Sequence, residues 1–129
     1  MTAVLIVEDV VFINMEAIFL VGELGHATYS AHDYEAGLTM LQSDARIDVL
    51  FTDIRLKERR FGGYELAKEA VVLRPGLGVL YTTGDKLAHP DTGLVLEGSH
   101  FLQKPYDEVQ LQMAFAVMQL ALQARRPTA

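Results

Sequence analysis

The chain has 129 residues, half of them apolar, with no cysteine and a formal net charge of −6 at pH 7. This length predicts one domain, over residues 1–129, that can bury a core without disulfides, and the lack of cysteine excludes thiolate chemistry and is compatible with a reducing, cytoplasmic location. An acidic chain disfavours nucleic acid as a partner, and no apolar run approaches the roughly 20 residues of a membrane-spanning helix.

Short apolar runs alternate with longer helical segments, which is the pattern of βαβ units around a parallel sheet. The predicted strands cover residues 3–7, 26–30, 48–52, 78–82 and 99–103. The runs at 4–7 and 49–51 are wholly apolar, as buried central strands of a parallel sheet are. The sequence therefore predicts an α/β domain.

Five helices are expected between and after these strands. The first three cover residues 11–23, 33–42 and 64–73, and the fifth covers 107–124. The fourth is expected to be short or irregular, because Pro90, Gly93 and Gly98 leave only one or two turns free of helix breakers.

The last helix carries two apolar stripes when its residues are spaced by about 100°. The bulkier stripe is predicted to face the sheet and consists of Leu111, Phe115, Met118 and Leu122. The stripe on nearly the opposite side consists of Val109, Met113, Ala116, Val117 and Leu120. It is either a partner face, which includes the face of a homodimer, or a surface that flanking loops cover.

Charged residues follow three of the predicted strands. Glu8-Asp9 follow the first strand, Asp53 the third, and Lys104-Pro105 the fifth. The carboxyl ends of parallel strands gather at one crevice, so these side chains are expected to meet there. Crowded carboxylates repel each other unless a cation lies among them, and an oxygen-lined site of this kind suits Mg²⁺. The sequence predicts a metal-assisted phosphoryl site.

With Thr83-Gly84 after the fourth strand, the ordered motifs over residues 4–124 resemble the receiver domain of two-component response regulators. The resemblance implies a doubly wound, flavodoxin-like or CheY-like fold, with five helices around a five-stranded parallel sheet in the order 2-1-3-4-5. It also implies a stand-alone receiver whose output passes through protein contact. Such a protein takes part in its own phosphorylation and is not a turnover enzyme.

The resemblance assigns the central chemistry to Asp53, which would accept a phosphoryl group from a phosphohistidine on a sensor histidine kinase or a histidine phosphotransfer protein. A carboxylate suits this role because it is ionised at neutral pH and needs no general base. Glu8, Asp9 and Asp53 would hold Mg²⁺ together with the backbone carbonyl of Arg55.

The resemblance also implies three supporting roles. Lys104 and the hydroxyl of Thr83 would contact phosphoryl oxygens, and Phe101 would be the aromatic switch residue. The Lys104-Pro105 bond is expected to be cis. Simpler explanations exist for single residues: a helix N-cap for Glu8-Asp9, and a plain core position for Phe101.

The segment after Asp53, residues 54–63, departs from the family pattern. It lacks the usual Pro, is slightly longer than the corresponding segment of the family and is highly charged. Lys57, Arg59 and Arg60 either steer a phosphorylated partner or are solvated loop charge. Arg55 and Asp85 lie two residues beyond Asp53 and Thr83, and an ion pair between them is predicted to control the access of water to the site.

Two other classes of protein share parts of this pattern. The fold could serve as an adaptor without phosphorylation, although a complete set of crowded charges is costly without a use. An Mg²⁺-dependent phosphatase with an aspartate nucleophile is disfavoured, because Arg55 stands where the second Asp of its motif would be and no cap domain fits.

Overall fold

The computed structural model describes residues 2–84, 96 and 98–125. Its strands are β1 (Ala3–Val7), β2 (Ala27–Ala31), β3 (Val49–Asp53), β4 (Gly78–Thr83) and β5 (His100–Gln103). Its helices are α1 (Val11–Glu23), α2 (Tyr34–Gln42), α3 (Gly62–Leu73) and α4 (Glu108–Arg125). All strands pair in parallel in one sheet, in the order β2-β1-β3-β4-β5.

This architecture confirms the predicted α/β fold and its strand order. The strand bounds differ from the predicted ones by at most one residue, and α3 begins two residues earlier than predicted. The short fourth helix was predicted within a segment that lies mostly outside the described residues, so α4 corresponds to the predicted fifth helix. The described part of the chain therefore contains four helices rather than five.

The two faces of the sheet carry separate apolar clusters, because successive side chains of a strand point to opposite faces. Leu5, Leu50 and Tyr81 lie in the cluster that packs with α2 and α3. Val4 and Phe51 lie in the other cluster, with α1 and α4. Both faces of β1, β3 and β4 are thus covered, which explains the uninterrupted apolar runs in the sequence.

The α2 helix begins with a side-chain cap. The Oδ1 atom of Asp33 accepts a hydrogen bond of 2.7 Å from the backbone N–H of Ala36. This bond satisfies one of the free N–H groups at the helix start and holds the pKa of Asp33 below its ordinary value. The cap explains why α2 begins one residue later than predicted.

The two predicted stripes of α4 separate as expected. Leu111, Phe115 and Met118 are buried, and Leu122 packs against the same cluster. The opposite stripe is exposed, at 61% for Val109, 63% for Met113, 53% for Val117 and 67% for Leu120. Within the described residues, no helix is both long enough and apolar enough to cross a membrane.

Candidate functional site

The carboxyl ends of β1 and β3 bring three acidic side chains together. The two strands are neighbours, with Val7 paired to Thr52, so the residues that end or follow them share one edge of the sheet. Carboxylate oxygens of Glu8, Asp9 and Asp53 all lie within 4.8 Å of one another. The predicted acidic cluster is therefore present as a geometric unit.

Lys104, which follows β5, places its ammonium group within this cluster. Its Nζ atom donates a hydrogen bond of 3.1 Å to Asp53 Oδ2 and a second one to the carboxylate of Glu8. The backbone N–H of Lys104 donates to the carbonyl of Thr83 at 2.9 Å, which fixes the chain at the end of β4. The Lys104-Pro105 bond is cis, as predicted.

The three bonded side chains are largely withdrawn from water. Their exposed fractions are 5% for Glu8, 12% for Asp53 and 19% for Lys104. Burial raises the pKa of both carboxyl groups, and the hydrogen bonds from Lys104 oppose this rise without cancelling it. Burial alone would lower the pKa of Lys104, but Glu8 and Asp53 outweigh it, so the pKa of the lysine is raised.

Backbone N–H groups orient the carboxylates of Glu8 and Asp9. Glu8 Oε2 accepts a hydrogen bond of 3.0 Å from the N–H of Val10, and Asp9 Oδ2 accepts one of 3.0 Å from the N–H of Lys57. The N-cap residue of α1 is Val10, without a side-chain cap bond. A capping role for Glu8-Asp9 is therefore wrong, and both side chains are directed into the site.

This donor set fits Mg²⁺. The ion takes oxygen ligands at about 2.0–2.1 Å and keeps several waters, so it needs only a few carboxylates from the protein. Glu8, Asp9 and Asp53 supply such oxygens, and this group, found among the described residues, contains no histidine.

The remaining predicted site residues occupy different positions around this cluster. Thr83 is buried at the last position of β4, and Phe101 is partly buried in β5 with its ring 5.2 Å from that of Tyr81. Arg55 is exposed, two residues after Asp53. Asp85 lies outside the described residues, so the predicted ion pair with Arg55 stays a prediction.

Asn14 is a buried polar residue that was not among the predicted site residues. Its Nδ2 atom donates to the carbonyl of Glu8 at 3.0 Å and to the carbonyl of Ala31 at 3.1 Å. It therefore ties the residues after β1 to the end of β2. Its position in the sequence could have indicated its burial, because helical spacing places Asn14 on the same buried side of α1 as Ala17 and Val21.

Gly63 packs directly behind the central aspartate. A Cβ atom at Gly63 would lie 2.2 Å from the backbone oxygen of Asp53 and 2.8 Å from Cα of Ile54. Its N–H donates to the carbonyl of Ile54 at 2.8 Å. Only a residue without a side chain allows the start of α3 to approach the end of β3 this closely.

A cavity of about 450 Å³ opens beside Lys104. Its lining residues are Ile13, Glu16, Gly84, Lys104, Pro105 and Tyr106. Burial and the nearby carboxylates raise the pKa of Tyr106 to about 12, so its hydroxyl stays protonated at neutral pH. Of the charged cluster, Lys104 is the member that lines this cavity.

The fold and the site together define a class: a doubly wound parallel sheet that carries an acidic cluster and a lysine at the carboxyl ends of its strands. The sequence profile of the response regulator receiver domain matches residues 4–116. The chain therefore belongs to the family of response regulator receiver domains.

Solved structures agree with this family. A receiver domain protein from Clostridium thermocellum has a TM-score of 0.84 at 21% identity, and the match covers 98% of this chain and 100% of that one. A CheY-like receiver from Methanospirillum hungatei JF-1 has a TM-score of 0.82 at 20% identity, covering 98% and 99%.

NtrX from Brucella abortus has a TM-score of 0.85 at 24% identity over 98% of this chain but 28% of its own length. At such identities these similarities show the fold. The comparison with curated protein sequences found no significant match.

Proposed function

We propose that this receiver accepts a phosphoryl group on Asp53 from a phosphohistidine donor in a two-component or phosphorelay pathway. The observation that supports it is the cluster itself: Glu8, Asp9 and Asp53 within 4.8 Å of one another, with Lys104 hydrogen-bonded to Asp53. Crowded carboxylates are costly in a fold, and phosphoryl transfer uses all of them.

The transfer itself needs little covalent chemistry from the protein. A carboxylate oxygen of Asp53 attacks phosphorus, a P–O bond forms, and the P–N bond of the phosphohistidine breaks. The released imidazole nitrogen takes up a proton from water. Hydrolysis later returns the carboxylate and inorganic phosphate. The protein accelerates the transfer by positioning the reacting groups and by neutralising charge. The ionised carboxylate needs no general base.

The proposed metal ligands are Glu8, Asp9 and Asp53, completed by the backbone carbonyl of Arg55 and by water. The ion and Lys104 would both offset the negative charge on the phosphoryl oxygens. The ammonium group of Lys104 already donates a hydrogen bond of 3.1 Å to Oδ2 of Asp53, the proposed nucleophile. It can therefore follow the oxygen as charge builds on the attached phosphoryl group.

Thr83 and Phe101 are proposed to transmit the phosphorylated state. Thr83 ends β4, where its hydroxyl would donate to a phosphoryl oxygen. Phe101 lies on the neighbouring strand β5, and its ring packs against Tyr81, two residues before Thr83. A movement at Thr83 would therefore reach an aromatic pair that is already in contact.

The proposed donors are a sensor histidine kinase or a histidine phosphotransfer protein, and the proposed output is contact with a further protein. The exposed stripe of α4, with Val109, Met113, Val117 and Leu120, stays the predicted partner face. Four further points stay predictions. They are a single receiver domain over residues 1–129, no turnover activity, no nucleic-acid partner and a cytoplasmic location.

The decisive experiment is intact mass spectrometry after incubation with Mg²⁺ and acetyl phosphate, with Asp53→Asn as the control. The proposal expects a gain of one phosphoryl group that is lost in the control and in the presence of a chelator. A cognate phosphohistidine protein would then be tested as donor. If neither donor modifies Asp53, the proposal fails and an adaptor role without phosphorylation gains support.

A further inference from the structure

The turn that joins β3 to α3 connects the acidic cluster with the helices α2 and α3. We propose that Arg59 is a positioning residue for the metal site. Its side chain fixes this turn against α2 and α3, and the fixed turn holds the carboxylate of Asp9 in place. The inference rests on the proposed metal site, and it assigns a role to a charged loop that departs from the family pattern.

The turn is a compact unit that reaches Asp9 directly. Leu56 and Arg59 pair across it, with N–H to carbonyl distances of 3.0 Å and 2.9 Å in the two directions. Leu56 is only 1% exposed, so the turn is anchored in the core. The N–H of Lys57, between the paired residues, donates to Asp9 Oδ2 at 3.0 Å. The orientation of the Asp9 carboxylate therefore depends on where this turn lies.

The guanidinium group of Arg59 makes three contacts with two helices. Nη2 lies 3.4 Å from Glu35 Oε1 in α2, and Nη1 lies 3.7 Å from Glu65 Oε1 in α3. The carbon Cζ lies 3.9 Å from the centre of the Tyr34 ring, a cation–π contact. The planar group is thus held on two edges and one face, which fixes it more narrowly than a single ion pair would.

These contacts are expected to act on geometry more than on stability. The side chains of Arg59, Glu35 and Glu65 are 42%, 71% and 51% exposed. Exposed ion pairs contribute little to the free energy of unfolding. A loss of the contacts therefore leaves the fold in place but lets the turn move, and with it the N–H group that orients Asp9.

The adjacent arginine offers a matched control. The guanidinium of Arg60 lies 5.5 Å from the ring centre of its own neighbour Phe61, rather than over the Tyr34 ring of α2. Arg59→Ala and Arg60→Ala remove the same charge from adjacent positions of one loop. A purely electrostatic effect of the loop on the metal would be alike in both variants, whereas a positioning effect would appear in the first.

The test is a calorimetric titration of the whole chain with Mg²⁺, for the wild type, Arg59→Ala, Arg60→Ala, Arg59→Lys and Asp9→Asn. We expect Arg59→Ala to weaken Mg²⁺ binding about tenfold, the lower end of the cost of losing an outer partner of a metal ligand. Arg60→Ala should bind like the wild type, and Arg59→Lys should recover part of the affinity.

A second measurement needs no metal. Hydrogen exchange of the Lys57 amide, followed by NMR in a chelating buffer, should be faster in Arg59→Ala and unchanged in Arg60→Ala. If Arg59→Ala does not fold, Glu35→Gln and Glu65→Gln together replace it, because they remove both acidic partners of the guanidinium.

The outcomes separate this inference from the proposed function. Normal Mg²⁺ affinity and normal Lys57 exchange in Arg59→Ala, with binding lost in Asp9→Asn, overturn the inference and leave the metal site intact. Equal losses in Arg59→Ala and Arg60→Ala also overturn it. If the wild type binds no Mg²⁺, or Asp9→Asn binds like the wild type, the metal site and the inference both fail.

Discussion

The ammonium of Lys104 lies 3.1 Å from Asp53 Oδ2 and also bonds to Glu8, so one cation already pairs with two of the three carboxylates of the acidic cluster. This relationship has two consequences. The lysine lowers the cost of burying the two carboxylates. It also competes with any divalent cation for the same carboxylate oxygens. The affinity of the site for a divalent cation should therefore change when the ammonium group is removed.

We therefore expect Lys104→Met to bind Mg²⁺ more tightly than the wild type, by about tenfold or about 1.4 kcal/mol. Met keeps much of the apolar stem and removes the competing charge. The measurement is a calorimetric titration with Mg²⁺, and Lys68→Met, at an exposed position of α3, serves as the control. Equal or weaker binding by Lys104→Met would show that the ammonium and the metal do not share ligands.

The pH dependence of stability provides a second prediction. Burial raises the pKa of Asp53 above its ordinary value of 3.8, so the ionised form is disfavoured in the folded state. The contribution of this group to stability is thus present at low pH and is lost as the pH rises through the raised pKa. Asp53→Asn should remove this loss and increase the free energy of unfolding at pH 7 by about 1 kcal/mol, an ordinary size for a single substitution.

This effect can be measured by urea unfolding of both proteins between pH 4 and pH 7 in a chelating buffer. The advantage of Asp53→Asn should shrink towards pH 4, because the wild-type carboxyl then becomes protonated. An advantage that does not change with pH would point to packing rather than titration. A variant less stable than the wild type at pH 7 would mean that the bond to Lys104 outweighs burial.

Much of the site could be predicted because its residues follow apolar strands. In a parallel sheet the carboxyl end of each strand reaches the same edge, so Glu8-Asp9, Asp53 and Lys104 could be placed together without coordinates. The exposed stripe of α4 followed from helical periodicity in the same way. These inferences depend only on the direction and period of regular elements.

The contacts of the β3–α3 turn could not be predicted. Lys57, Arg59 and Arg60 share one charged stretch, and their composition does not distinguish solvated charge from specific pairing. What distinguishes them is the path of the backbone, which brings Arg59 over Tyr34 and the Lys57 amide to Asp9. Such contacts depend on a turn of irregular conformation, for which no sequence period exists.

Gly63 is expected to tolerate no side chain. Gly63→Ala would place a methyl group 2.2 Å from the backbone oxygen of Asp53, so β3 or α3 must shift. The free energy of unfolding should fall by about 3 kcal/mol, and Mg²⁺ binding should weaken because the displaced strand carries Asp53. Thermal or urea unfolding measures the first effect and calorimetry the second.

The matched control for this substitution is Gly22→Ala in α1. A Cβ atom at Gly22 would meet nothing within 4 Å, and alanine favours a helix over glycine by about 1 kcal/mol. This variant should therefore be as stable as the wild type or more stable. Comparable stability of Gly63→Ala and Gly22→Ala would contradict the close packing of α3 against the end of β3.

The last prediction concerns the conformation of Lys57, whose φ of 54° lies in the left-handed region. A non-glycine residue there carries a cost of about 1 kcal/mol. The ion pair of Lys57 Nζ with Asp33 at 3.5 Å is partly exposed to water and offsets little of this cost. Lys57→Gly should therefore increase the free energy of unfolding, by about 0.5 kcal/mol once the greater freedom of glycine in the unfolded chain is included.

Glu58→Gly is the control within the same turn, because Glu58 does not share the positive φ of Lys57. It should lose about 0.5–1 kcal/mol, the usual cost of adding a glycine where none is required. Urea unfolding of the three proteins measures the difference. Lys57→Gly keeps both the amide that donates to Asp9 and the Arg59 contacts that fix the turn, so its Mg²⁺ affinity should equal that of the wild type. If both glycine variants are destabilised alike, the left-handed conformation of Lys57 carries no cost, and the turn is held by its contacts alone.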